Sequence, residues 1–173
     1  HTGIDGRVTN DGVERYQALN GNHLKPVGAR PLDANTLFLE VRTRQSHLHV
    51  AEAVRTRLFS NGAPLDIEPE FIGEAGYVAH EYAVEVREGT PLVAEKVLAL
   101  HSSQDRAIAE CGLEARQAVA RAPEFDELLR EHTLVWQQLW RRFDIELTEA
   151  DPTEARREVC ILHLHIFHLL QTA

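Results

Sequence analysis

The sequence predicts an α+β chain, a partial antiparallel β-sandwich over residues 1–102 followed by linker α-helices. Three observations predict it. Apolar and polar residues alternate over several stretches of the first hundred residues, the two-residue period of a strand with one face inward. Between those stretches stand Gly, Asn and Ser in turn-forming pairs. After Ser102 the apolar spacing becomes helical and stays so to Gln171.

Leu37, Leu39, Val41 and Thr43 alternate with Phe38, Glu40, Arg42 and Arg44, and after a turn near Gln45-Ser46 the period continues through Val50, Val54, Thr56 and Leu58. Val78, Tyr82, Val84 and Val86 carry it again, and Leu92 to Leu100 is apolar on both faces. Asn20-Gly21, Ser60-Asn61-Gly62, Gly73 to Gly76 and Glu88-Gly89 supply the turns, and Glu88-Gly89-Thr90-Pro91 is the clearest hairpin signal. Ser102-Ser103-Gln104-Asp105 offers N-caps for a helix to about Ala122, with Ile108, Cys111, Ala115 and Val119 on one side. Pro123 ends it. A second helix, about Glu124 to Arg142, puts Phe125, Leu128, Leu129, His132, Trp136, Leu139 and Trp140 on its inner face. Phe143 to Leu147 reads as an extended link. Asp151-Pro152, an N-cap followed by Pro at the first helical position, opens a third helix to about Gln171.

With 43% hydrophobic and 26% charged residues, the composition is that of a globular chain. A net charge of −9 and the lack of any Lys/Arg-rich run repel phosphate backbones and anionic lipid, which argues against nucleic acid and membrane partners. Cys111 and Cys160, without metal-ligand spacing, read as buried thiols in a reduced, cytoplasmic setting. The chain opens at His1 and has no Met, as expected of an excised piece.

Candidate chemistry is sparse. His163 and His165, two apart on a helix, point about 200° apart and cannot share a metal. His165 and His168 could, and His47 and His49 would share a strand face, but each pair lacks a third ligand. These histidines read as helix-face or interfacial groups rather than ligands. His132, Trp136 and Trp140 recur at one helical turn. They form either a sugar-stacking platform or an aromatic seam fixing the helix to the sheet, and their Leu and Phe neighbours favour the seam. Glu68/Glu70, Glu81/Glu85 and Asp126/Glu127 are carboxylate pairs on paper, but sequence spacing cannot select the pair a glycosidase needs, and solvated faces explain them. A nucleophile elbow, a P-loop and a GxGxxG are all missing, so nucleophilic catalysis and nucleotide binding lack support.

Taken together, His132 to Trp140, the Asp144-Ile145-Glu146-Leu147 link and Phe167-His168-Leu169-Leu170-Gln171 resemble the linker and first barrel helix of glycoside hydrolase family 65. Gly3 to Asn10, Asn20-Gly21-Asn22-His23-Leu24, Leu37 to Ser46 and Val97 to Ser103 resemble strands and turns of that family's N-terminal sandwich. The likeness covers essentially the whole chain. It implies a sandwich piece over residues 1–102, a helical linker over 103–147 and, over 148–173, the first helix of an (α/α)6 catalytic barrel.

The family holds trehalose, maltose and kojibiose phosphorylases and some trehalases. The resemblance therefore implies a parent acting on an α-glucoside disaccharide, with inorganic phosphate as co-substrate if it is a phosphorylase and no other cofactor. One Glu would protonate the glycosidic oxygen while phosphate attacks the opposite face, inverting the anomeric carbon; a hydrolase would need a second carboxylate to activate water. Those residues belong to barrel segments expected after Ala173, and the sandwich's opening strands are expected before His1. No catalytic, substrate-binding, cofactor or metal residue is carried over to this chain. The isolated chain is expected to be catalytically silent, and its sheet edges and the apolar face of Ile161, Leu162, Leu164, Phe167 and Leu169 are expected to drive self-association or homo-oligomerisation. The alternative is a non-enzymatic β-sandwich module that binds carbohydrate or a partner protein, with Trp136 or Trp140 protected by sugar.

Overall fold

The computed structural model describes residues 1–8, 23–106, 108–145 and 152–172. The chain falls into two compact units, His1–Ala122 and Pro123–Ala173. In chain order the strands are β1 Thr2–Asp5, β2 Leu24–Pro31, β3 Thr36–Thr43, β4 His49–Ser60, β5 Ala63–Leu65, β6 Glu70–Glu74, β7 Tyr77–Glu81 and β8 Leu92–Ser102. The helices are α1 Cys111–Arg121, α2 Phe125–Phe143 and α3 Pro152–Thr172.

The first unit has three layers: a three-stranded sheet (β1-β7-β6), a five-stranded sheet, and α1. In the larger sheet β2, β3 and β4 run in order, β5 folds back beside β4, and β8 pairs β4 along Val50↔Ser102 to Ser60↔Leu92. Every strand pairing is antiparallel. The period of two then sorts the side chains into two cores. Leu37, Leu39, Val41 and Val54 face the small sheet and meet its Ile4 and Val78. Phe38, Ala51 and Ala53 face the other way, beneath Cys111, Ala115 and Val119 of α1. Small alanines on both sides let the helix lie close to the sheet. Full burial of each large apolar side chain here contributes about 1.5–3 kcal/mol.

Polar groups finish the same seam. The Arg55 guanidinium donates to the carbonyls of Val119 and Ala122 at 3.2 and 2.9 Å, placing a cation at the C-terminus of α1. Beside it, Arg57 and Glu95 pair across β4 and β8 at 2.7 Å.

The structure bears out the α+β reading, the β3 and β4 alternations and the long β8. It bears out the Ser60-Asn61-Gly62 turn as well and corrects several other readings. Asn61 and Gly62, at φ 48° and 79°, make the two-residue loop that joins β4 to β5, with Ser60 opposite Ala63. Glu88-Gly89 does turn, with Gly89 at φ 77° and Thr90 N–H donating to the Arg87 carbonyl, but it closes no hairpin. β7 ends at Glu81, so Tyr82, Val84 and Val86 lie outside any strand. The reason is topological: β7 pairs with β1 and β6 in one sheet and β8 with β4 in the other, so 82–91 is a crossover between sheets.

α1 begins at Cys111 rather than near Ser102. The cap-forming residues are engaged in a turn that closes β8, where the Asp105 carboxylate accepts from Ser102 N–H at 2.7 Å and from the Ser102 hydroxyl at 3.2 Å. Two prolines in β2 hid that strand. It tolerates them as an edge strand with a register shift between Pro26 and Gly28. The Asn20-Gly21 turn, the Asp151 cap and the last two residues of the 143–147 link lie outside the described residues.

In the second unit α2 and α3 match the expected helices to within a residue or two. Asp126 and Glu127 stand in the first turn of α2 and Arg141 and Arg142 in its last, each complementing the helix dipole. Among the described residues, no helix is long and apolar enough to cross a membrane.

Candidate functional site

Residues four apart on α2 form a ladder of rings. His132 meets Trp136 edge-on at 6.1 Å between centroids, and Trp136 and Trp140 are 6.4 Å apart. Helix α3 supplies the other side: Phe167 lies 5.0 Å from Trp136 and His163 lies 5.2 Å from Trp140. His163 Nε2 is also 2.9 Å from Asp144 Oδ1, a contact that ties α3 to the end of α2. The indoles are thus packed as a seam, but their partner is α3 where the sequence reading expected the sheet. Rings of α3 lie against both indoles, which stay half-buried.

The histidine candidates separate in the same way. His163 is held by Asp144 and Trp140, His165 is exposed, and His168 stands edge-on to Phe167 at 5.8 Å. His47 and His49 do not share a strand face, because β4 opens at His49 while His47 sits before it at φ 56°. His49 Nδ1 instead meets Glu40 Oε1 at 2.7 Å. Among the described residues no group of three or more His, Cys, Asp and Glu side chains is placed to hold a metal ion.

None of the three proposed carboxylate pairs forms an acid–base couple. Register sets Glu70 opposite Glu81 on β6 and β7, Glu85 pairs loosely with Arg87 at 3.6 Å, and Glu127 pairs with Arg130 at 2.9 Å. Glu70 and Glu81 thus stand on strands, Asp126 and Glu127 in the first turn of α2 and Glu85 on the crossover after β7, all in contact with water.

Perturbed groups lie elsewhere. Burial pushes the Cys111 thiol up, with the nearby Glu40 and Glu110 charges adding to it, which makes it an unreactive core thiol. Cys160, expected to be buried, is exposed on α3. Burial also raises the Glu52 carboxyl, against the opposing pull of Lys96. His80 on β7 is only 2% exposed, and burial holds its imidazole below the ordinary value although Asp33 pulls the other way. It stands at a cleft of about 250 Å³ with Asp33, Glu68 and Phe71. Sequence reasoning missed this cleft, since it joins the β2–β3 turn to β6 and β7 and no local spacing announces it.

The geometry defines a sheet domain with a helical extension, its core closed on both faces of the larger sheet. Residues 1–139 match the family described as glycosyl hydrolase family 65, N-terminal domain, and the chain belongs to that family. Glycosyl hydrolases of Mycobacterium tuberculosis strains CDC 1551 and H37Rv, both described as uncharacterized, are each 31% identical over 169 residues, covering 98% of this chain and 12% of theirs. Kojibiose phosphorylase of Halothermothrix orenii is 24% identical over 159 residues, covering 87% of this chain and 19% of its own. The chain therefore spans less than a fifth of the length of these relatives.

Proposed function

We propose that this chain is the sandwich and linker portion of an inverting glycoside phosphorylase or hydrolase acting on α-linked glucose disaccharides. The observation that carries the reading is the family match over residues 1–139, together with the relatives' names, glycosyl hydrolase and kojibiose phosphorylase. In this reading residues 1–102 belong to the sandwich, 103–147 to the linker and 148–173 to the first helix of the catalytic barrel. The general acid and the sugar and phosphate sites are carried by other parts of the parent protein, in a cytoplasmic setting.

The purified 173-residue chain is expected to show no phosphorolysis or hydrolysis of kojibiose, trehalose or maltose. Glucose or glucose 1-phosphate released above a buffer control would overturn the division of labour. The longer protein should release β-glucose 1-phosphate or β-glucose from one of these sugars, the inverted anomer in either case. Retention of configuration there would sink the mechanism.

Apolar residues of α3 support a further part of the proposal. Ile161, Leu164 and Leu169 are 48%, 54% and 69% exposed, a patch that in the longer protein is covered by barrel helices. The isolated chain should self-associate through it. Light scattering that returns a monomer mass at every concentration would count against this.

A further inference from the structure

The cleft at His80 has the makings of a ligand site. Its residues come from separate parts of the chain: Pro31 from the end of β2, Asp33 from the β2–β3 turn, Glu68 and Pro69 from the link into β6, Phe71 from β6 and His80 from β7. The two sheets therefore build it jointly. At about 250 Å³ it falls just under the roughly 300–1,000 Å³ of drug-sized pockets, which leaves room for one small ring and not for a chain.

Its polar groups are poised and unspent. Asp33 Oδ1 accepts from Asn35 N–H at 2.8 Å, which leaves the other carboxylate oxygen without a hydrogen bond among the described residues. Glu68 is exposed and forms no ion pair or hydrogen bond among the described residues. His80, 98% buried by its 2% exposure, has one long contact, 3.5 Å from Nδ1 to the Tyr82 hydroxyl, and Nε2 has no hydrogen-bond partner among the described residues. Phe71 is edge-on to His80 at 6.3 Å and remains 43% exposed, so an apolar ring surface is available at the mouth.

A matching ligand offers several hydroxyl donors for two carboxylates, an acceptor oxygen for an imidazole N–H, and a C–H face for an aromatic ring. A pyranose has all three on one ring. Carboxylate acceptors make the stronger, charge-assisted hydrogen bonds to such hydroxyls. Among the described residues no Lys or Arg lines the cleft to neutralise Asp33 and Glu68 or to hold an anionic sugar. We propose that the cleft bounded by Asp33, Glu68, Phe71 and His80 binds a single neutral sugar ring. The site stands on the sandwich's own geometry, so it can fail while the family-level enzymatic reading holds, and the reverse.

The test is a ¹H–¹⁵N NMR titration of the whole chain with D-glucose, with methylammonium chloride as a cation control. Glucose should shift the amides of Asp33, Glu68, Phe71 and His80 saturably, with a dissociation constant on the order of 1–10 mM. Phe71→Ala and Glu68→Gln replace exposed side chains and leave the fold intact; each should weaken binding at least about threefold. His80→Gln, which keeps a donor at the cleft floor, should retain more affinity than His80→Leu. Three outcomes overturn the proposal: no saturable shift by about 100 mM glucose, shifts confined to other residues, or methylammonium moving these amides while glucose does not.

Discussion

The two units use apolar residues in opposite ways. In the first, Leu37, Val54 and Val78 are 0% exposed and the sheets and α1 close over them. In the second, α2 carries an apolar stripe just as regular, yet none of its residues is buried, and Phe125, Leu129, Leu134, Val135 and Phe143 are all 45–55% exposed. Amphipathic spacing is thus enough to specify a helix, whereas burial requires a partner surface. Buried apolar surface, and the stabilisation it brings, is thus concentrated among the described residues in the sandwich unit.

Leu37→Ala against Leu134→Ala is the strongest way to break this contrast. Leu37 is packed on every side, so its truncation should cost about 2–5 kcal/mol through lost burial and a residual cavity. Leu134 is 55% exposed and its truncation should stay within about 0.5 kcal/mol. Urea unfolding followed by far-ultraviolet circular dichroism measures both. Equal losses would show that the second unit has a closed core of its own.

Legibility in the sequence follows the same division between local and distant causes. β3, β4, β8, α2 and α3 were readable because periods of 2 and 3.6 are written in consecutive residues. The Glu88-Gly89 hairpin failed since the choice between β7 and β4 as partner of β8 is made by sheet topology. The early start of α1 failed because Ser102 and Asp105 satisfy each other as readily as they cap a helix. β6, reading Glu70-Phe71-Ile72-Gly73-Glu74, shows no alternation to find. The His80 cleft needed Asp33 and His80, forty-seven positions apart, to be seen side by side.

Acid sensitivity sharpens the comparison further, because His80 and Glu52 both lie in the sandwich unit. Burial lowers the His80 value in the folded state. Between its ordinary value near 6.5 and that lower folded value, the unfolded chain binds the extra proton, so stability should fall as pH drops through this window. Burial raises Glu52 in the folded state, so there the folded chain binds the extra proton. Its effect has the opposite sign: stability should rise as pH drops from the raised value toward the ordinary one near 4.3. His80→Gln should flatten the stability profile just below the ordinary imidazole value near pH 6.5, and Glu52→Gln should leave that His80-dependent slope and remove the opposing one. Unfolding midpoints across pH measure both. An unchanged slope in His80→Gln would mean that the imidazole is protonated as readily in the fold as in water.

The smallest expected effect lies in the second unit. With nothing on α2 buried, the ring ladder is the chief specific contact between its helices, and Trp136 on Phe167 at 5.0 Å is its tightest pair. Aromatic pairs couple by about 0.5–1.5 kcal/mol beyond their buried area, so a double-mutant cycle on Trp136→Ala and Phe167→Ala should return a coupling in that range. Trp140 remains in all four proteins and its fluorescence reports the unfolding of this unit alone, since the chain's two tryptophans both lie on α2. Strictly additive losses would mean that the rings merely lie near each other and that α2 and α3 are held as a pair by something else. A coupling within the range identifies the indole stripe as the glue of the helical unit.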